Sequence, residues 1–101
     1  MARTPLSPDE IKKALSALTG WELSDDATSI RHSFKFADFN AAFAFMTRIA
    51  MAAEKLDHHP EWSNVYNKVE IMLTTHSAKG LTKLDVTMAG LINDYARSQA
   101  V

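Results

Sequence analysis

Apolar residues recur along the chain with two periods, and the changes of period mark its elements. Ile11, Ala14, Leu15 and Leu18 repeat at the spacing of one helical face. The run opens on Ser7-Pro8-Asp9-Glu10. Ser7 can cap, Pro8 suits the first helical position, and Glu10 lies three residues past the cap, so a capping box starts this helix. Gly20 supplies its stop. Trp21-Glu22-Leu23 reads as a short strand and residues 24–27 as a turn. Residues 30–36 then alternate, with Ile30, His32, Phe34 and Phe36 on one face and Arg31, Ser33 and Lys35 on the other. That is a half-buried strand, and it forms a hairpin with the one before it. His32, on the inner face, is expected to be a hydrogen-bonded core or edge residue.

Asp38 caps a long middle helix over Phe39–Leu56. At about 100° per residue, Phe39, Phe43, Met46, Ala50 and Ala53 fall on one stripe, and Ala42, Phe45, Ile49, Ala52 and Leu56 on an adjoining one. The combined arc is wider than a helix needs to pack on one sheet. One stripe is expected to face the sheet and the other a second subunit, because burying both would need more layers than this length supplies. After Pro60 the pattern is extended again: residues 62–66, a turn at Asn67-Lys68, and residues 69–75. Residues 77–80 form a loop, and Thr82-Lys83-Leu84-Asp85 is a second capping box opening a last helix with Leu84, Met88, Leu91, Ile92 and Tyr95 inward. The order is α-β-β-α-β-β-α. Short turns favour antiparallel pairing, and three helices on one face of a four-stranded sheet make a two-layer α+β domain.

A length of 101 residues suits one domain, residues 1–101. With 11 Lys+Arg against 12 Asp+Glu and a net charge of −1, no surface is dedicated to nucleic acid or anionic membrane. The lack of Cys removes disulfides, thiolate metal sites and thiol nucleophiles. No apolar run approaches the roughly 18 residues of a membrane span, and residues 1–8 lack the apolar stretch of a secretion signal. A soluble, cytoplasmic protein is the expectation. The scattered glycines make no phosphate loop, and no Gly-x-Ser-x-Gly elbow is present.

Candidate chemistry gathers at three histidines where regular structure ends. His58 and His59 follow the long helix, within Glu54-Lys55-Leu56-Asp57-His58-His59-Pro60-Glu61-Trp62, and His76 ends the last strand. Pro60 disfavours helix at His59, so the helix stops by there. Neighbouring side chains in an extended segment diverge, so the pair approaches a ligand from different sides or one member is structural. Imidazole gives and takes protons near neutral pH, and Asp57 or Glu54 could orient a ring. The plain alternative is that histidines near a helix C-terminus merely complement its dipole. A zinc site is disfavoured, because no His-Glu-x-x-His is present and adjacent rings chelate poorly; no metal is expected. Asp85 serves at least as the capping carboxylate for the Thr82 amide.

At these residues the sequence resembles the pterin-4a-carbinolamine dehydratase family. The resemblance rests on Glu54-Lys55-x-Asp57-His58-His59-Pro60-Glu61-Trp62, on Asn64-Val65-Tyr66-Asn67-Lys68-Val69, on Thr75-His76, and on Gly80-Leu81-Thr82-x-x-Asp85. It implies a four-stranded antiparallel sheet with three helices, acting as a homodimer or homotetramer. It also implies dehydration of 4a-hydroxytetrahydrobiopterin to quinonoid dihydropterin, without a cofactor, in recycling the pterin of an aromatic amino acid hydroxylase. His58, His59 and His76 match the histidines lining the family's pterin site. Asp85, Glu54 and Asp57 match its acidic positions. One departure stands out: Leu84 occupies the place where family members often carry Arg, which deprives Asp85 of a partner.

On this reading His58 is a general acid toward the 4a-hydroxyl, His76 the opposing acid–base group, and His59 a holder of the pterin. Asp57 and Glu54 orient the rings, and backbone groups of Thr74, Thr75, His76 and Ser77 pair with the amide-like edge of the pterin. The alternative is a non-catalytic binding module, a dimerisation or coactivator-type protein using the same fold through the apolar surface of the middle helix.

Overall fold

A computed structural model describes residues 3–99. The elements run α1 (Pro8–Ser16), β1 (Glu22–Leu23), β2 (Ile30–Lys35), α2 (Phe39–Leu56), β3 (Glu61–Val65), β4 (Lys68–Leu73) and α3 (Lys83–Gln99), with a 3-10 turn at His76–Ala78. The four strands form one antiparallel sheet in the order β1-β2-β4-β3. Arg31, Ser33, Lys35, Glu61, Ser63, Lys68 and Glu70 alternate onto the exposed face. Ile30, Val69, Ile71 and Leu73 point the other way, into a core completed by the helices with Ile11, Phe45, Ile49, Met88 and Ile92. This is the two-layer α+β arrangement read from the periodicity. None of the helices among the described residues is long and apolar enough to cross a membrane.

Local chemistry explains where elements begin. Ser7 Oγ accepts the Glu10 N–H at 3.2 Å while Glu10 Oε1 accepts the Ser7 N–H at 2.8 Å, so the first capping box is formed in both directions. Asp38 Oδ1 accepts the Ala41 N–H at 2.8 Å and starts α2. The first helix stops earlier than expected. It ends at Ser16, where the Ala17 and Leu18 amides turn back to Ala14 and Leu15. Gly20 serves a different purpose. With φ +87° it brings the backbone against His32, and a Cβ there would fall 2.1 Å from His32 Nε2.

Two boundaries of the second hairpin also differ. Its turn is Tyr66-Asn67, one residue earlier than the pattern suggested, because Val65 pairs with Lys68. Asn64 Nδ2 braces this turn by donating to the carbonyls of Tyr66 at 3.0 Å and Lys68 at 2.8 Å, and Asn67 is held by Phe36 across the neighbouring strand. Strand β4 ends at Leu73, after which Thr75 makes a lone bridge with Gly80.

The two stripes of α2 are present, with their dividing line displaced. Ala42, Phe45, Ile49 and Ala53 are buried and Met46 leans on the core, whereas Phe39, Phe43 and Ala50 are exposed together with Met51. The core claims Ala53 and Met46 because α2 has two neighbours, the sheet beneath it and α3 beside it. Arg48 lies over the Tyr95 ring at 4.2 Å and donates to Ser98 Oγ across that second contact.

His32 joins an aromatic cluster. It stacks on Phe34 with centroids 3.9 Å apart and meets Trp21 edge-on at 5.4 Å. Its Nδ1–H donates to the Ser33 carbonyl at 3.0 Å. Burial holds its imidazole below the ordinary value of 6.5, against the opposing pull of the Ser33 and Thr19 backbone and of Glu22. The fold thus favours the neutral ring. That contribution is complete above pH 6.5 and is lost as pH falls through the lower folded value. Urea midpoints taken from about pH 8 down to about pH 5 should drop more steeply for the wild type than for His32→Asn; parallel curves would show that the ring contributes nothing.

Candidate active site

The hairpin explains how distant histidines meet. His58 and His59 stand just before β3, and His76 follows just after β4. In the register Glu61 faces Met72, so the start of β3 and the end of β4 lie side by side at one end of the sheet. Helix α2 delivers its C-terminus to the same place. Asp57 takes the left-handed conformation at φ 51°, ψ 45°, which turns the chain out of the helix ahead of Pro60. Both histidine stretches therefore line one cavity of about 230 Å³, together with Arg3, Asp57, Thr74, Thr75 and Ser77. An adjoining hollow of about 530 Å³ shares Thr74 and His76 with it and continues past Ser24, Asp26, Thr28 and Lys79.

The three rings differ in setting. His58 is 5% exposed and pairs through Nε2 with Asp85 Oδ1 at 2.6 Å, where Asp85 is 0% exposed. A carboxylate only accepts, so this Nε2 carries the hydrogen. Nδ1 is then the ring nitrogen left to the cavity that His58 lines. His59 turns outward, its Nε2–H donating to Glu54 Oε1 at 2.7 Å, and the His59 side chain is 56% exposed. His76 is 80% exposed, with Nε2 3.4 Å from Glu61 Oε2. The divergence expected of adjacent histidines is thus realised within a single cavity.

Other expected site residues fall into place unevenly. Asp85 stands behind His58, fully buried, and is not among the residues that line the cavity. Nor does it lack partners: Oδ2 accepts the Thr75 hydroxyl at 2.7 Å and the Thr82 N–H at 2.9 Å. Leu84, where Arg was the expected residue type, is buried in the fold. Glu54 bonds His59 from outside the cavity. Asp57 lines the cavity, with its carbonyl held by Arg3 Nη2–H at 2.8 Å. Of the backbone groups in residues 74–77, Thr75 commits both its N–H and its C=O to Gly80 and neighbouring turns, so it offers no amide pairing to a ligand. The Thr74 hydroxyl is committed to the Thr28 carbonyl at 2.6 Å.

Arg3 is the cavity residue that the sequence pattern missed. It precedes every periodic segment, so no spacing marked it. The chain is brought over the cavity by the Leu6 N–H, which donates to the Leu81 carbonyl at 2.9 Å. Arg3 places a guanidinium among the residues that line the cavity. Among the described residues no group of His, Asp and Glu is arranged to hold a metal ion.

A model of the pterin 4 alpha carbinolamine dehydratase family matches residues 4–95. The chain belongs to that family. It is 54% identical over 95 residues to a Mesorhizobium japonicum protein named "Putative pterin-4-alpha-carbinolamine dehydratase", covering 94% of this chain and 97% of that one. A protein of the same name from Rhizorhabdus wittichii is 55% identical over 96 residues, covering 95% and 99%. The crystal structure of a transcriptional coactivator/pterin dehydratase from Brucella melitensis superposes with a TM-score of 0.89 at 50% identity, over 92% of this chain and 99% of that one. A pterin dehydratase-like protein identified as a RuBisCO assembly factor in the alpha-carboxysome shares the fold, with a TM-score of 0.67 at 19% identity, over 76% and 89%.

Asp85 accepts three buried donors, from His58, Thr75 and Thr82. Asp85→Ala strands all three, so it should cost about 3–5 kcal/mol in denaturant unfolding; a loss below about 1 kcal/mol would mean the carboxylate is not the hub of this junction.

Proposed function

We propose that this protein dehydrates 4a-hydroxytetrahydrobiopterin to quinonoid dihydropterin by histidine general acid–base chemistry, in recycling the pterin oxidised by an aromatic amino acid hydroxylase. The observation that carries this reading is that His58, His59 and His76 line one cavity together with an Arg. At about 230 Å³ the cavity is smaller than the roughly 300–1,000 Å³ of drug-sized pockets. It suits a flat bicyclic ring, with the ring's substituent extending past His76 into the adjoining hollow.

The chemistry asks little of the protein. The hydroxyl sits on a carbon already bonded to nitrogen, whose lone pair expels it. The C4a–O bond breaks, an acid protonates the departing oxygen to water, and a base takes a proton from the ring. His58 is the acid: its bare Nδ1 first takes up a proton from solvent and then passes it to the departing oxygen, with the Asp85 carboxylate at 2.6 Å from Nε2 placed to stabilise the transient imidazolium. His76 is the opposing acid–base group, and its exposure leaves it free to exchange protons with water. His59, steadied by Glu54, holds the pterin, and the Arg3 guanidinium reaches a carbonyl oxygen of the ring. Positioned groups of this kind contribute about 10²–10⁴-fold. Stopped-flow ultraviolet decay of 4a-hydroxytetrahydrobiopterin tests the reading, with a chelator control that is expected to change nothing. Replacing His58 and His76 together by Ala should remove the acceleration while the circular dichroism spectrum stays native; full activity in that variant refutes the assignment.

Phe39 and Phe43 on the outer stripe of α2 favour a second copy of the chain as its cover. The two rings lie against each other with centroids 5.6 Å apart, and exposed apolar side chains that cluster are the kind of surface that association covers. A light-scattering mass of a homodimer or homotetramer is expected. A lone monomer would turn the surface over to another partner, in the manner of a coactivator-type module.

A further inference from the structure

We propose that Thr75 and Thr82 are positioning residues that act on the cavity through Asp85, lining up a one-way chain of hydrogen bonds that commits His58 to the tautomer with Nδ1 bare toward the ligand. The inference deepens the dehydratase reading and rests on it for its catalytic consequence. The chain begins at a group whose sense is fixed: the Leu84 N–H can only donate, and it points at Thr82 Oγ1 over 3.3 Å. Thr82 Oγ1 lies 2.8 Å from Thr75 Oγ1, and Thr75 Oγ1 lies 2.7 Å from Asp85 Oδ2. Oδ2 also receives the Thr82 N–H at 2.9 Å.

These contacts admit one economical ordering of protons. Thr82 accepts from Leu84 and donates to Thr75; Thr75 donates to Asp85. In the reverse order Thr82 Oγ1 would accept from both neighbours, and its own hydrogen would find no acceptor in this set of bonds. The carboxylate is thereby supplied with donors at Oδ2, and Oδ1 is left to accept from His58 Nε2 at 2.6 Å. Thr75 is 1% exposed, and Thr82 and Asp85 are 0% exposed, so water cannot stand in for a missing hydroxyl. The two hydroxyls come from different segments, one after β4 and one at the start of α3. The chain therefore also registers those segments against the end of α2.

Valine keeps the shape of threonine and removes the hydroxyl. In Thr75→Val or Thr82→Val the carboxylate is short of support and pulls harder on the remaining imidazole proton. Two readouts on the full chain separate this from general damage. Ring-nitrogen NMR of ¹⁵N-labelled protein should give His58 a protonated Nε2 and a bare Nδ1 in the wild type. The Nε2–H proton signal should move downfield in either Val variant and return in Thr75→Ser and Thr82→Ser. Turnover of 4a-hydroxytetrahydrobiopterin should fall about tenfold in the Val variants, the scale of one lost bond to a charged group, and recover with Ser.

A bare Nε2 in the wild type overturns the proposal, as do Val variants whose ring signals and turnover are unchanged. If a Val variant does not fold, the wild-type tautomer decides. The ring signals are read on the free protein, so signals that behave as stated beside a wild type without dehydratase activity would uphold the hydrogen-bond chain and remove the dehydratase reading.

Discussion

The junction of this structure is a buried carboxylate. Taking an ionised carboxylate out of water costs several kcal/mol even after relaxation, and the fold tolerates it only where donors surround it. Asp85 receives donors from the segment after α2, the segment after β4 and the cap of its own helix. Its place in the first turn of α3 adds the favourable end of the helix dipole. Two of those segments enter the cavity immediately beside their bonds to Asp85: His58 and His59 on one, Thr75 and His76 on the other. The interaction that stabilises the junction is therefore also the one that positions the rings.

This explains why an ordinary helix cap became part of a site. The Thr82–Asp85 spacing is that of a capping box, and the Thr82 N–H does go to Asp85 Oδ2 at 2.9 Å. The reciprocal half is altered: Thr82 Oγ1 takes the Leu84 N–H and turns toward Thr75. At an exposed helix end the second carboxylate oxygen would face water. Here it faces an imidazole, because β4 and α2 end over the same helix terminus.

Local signals made much of this legible from sequence. Ser7 to Glu10, Asp38 and Thr82 to Asp85 each announce a helix start with a mechanism confined to four residues. The alternation of residues 30–36 and the proximity of two extended runs after Pro60 suffice to infer the second hairpin, and the hairpin alone brings His76 to His58. What depended on distant partners was hidden. The turn at Tyr66-Asn67 is set by Asn64 and by Phe36 on another strand. The buried position of Asp85 has the same local sequence as an exposed one. Periodicity gives the width of the apolar arc on α2 but not which part of it α3 covers. Arg3 belongs to no pattern; the docking of Leu6 on Leu81 and its own bond to the Asp57 carbonyl hold it at the cavity.

The geometry of α2 also separates the two surfaces that the family resemblance brought together. The site lies at its C-terminal cap, Asp57, whereas Phe39 and Phe43 lie in its first turns. Phe43 and Asp57 are 14 positions apart, about 21 Å at 1.5 Å per residue. An occupant seated on Phe39 and Phe43 would thus leave the mouth of the cavity open, and nothing in the Asp85 junction would need to move to admit it. One helix can serve catalysis at its end and association along its flank because its inner stripe, Ala42, Phe45, Ile49 and Ala53, fixes it to the core independently of either. The enzyme and binding-module readings therefore address different ends of the same element, and they compete for no residue.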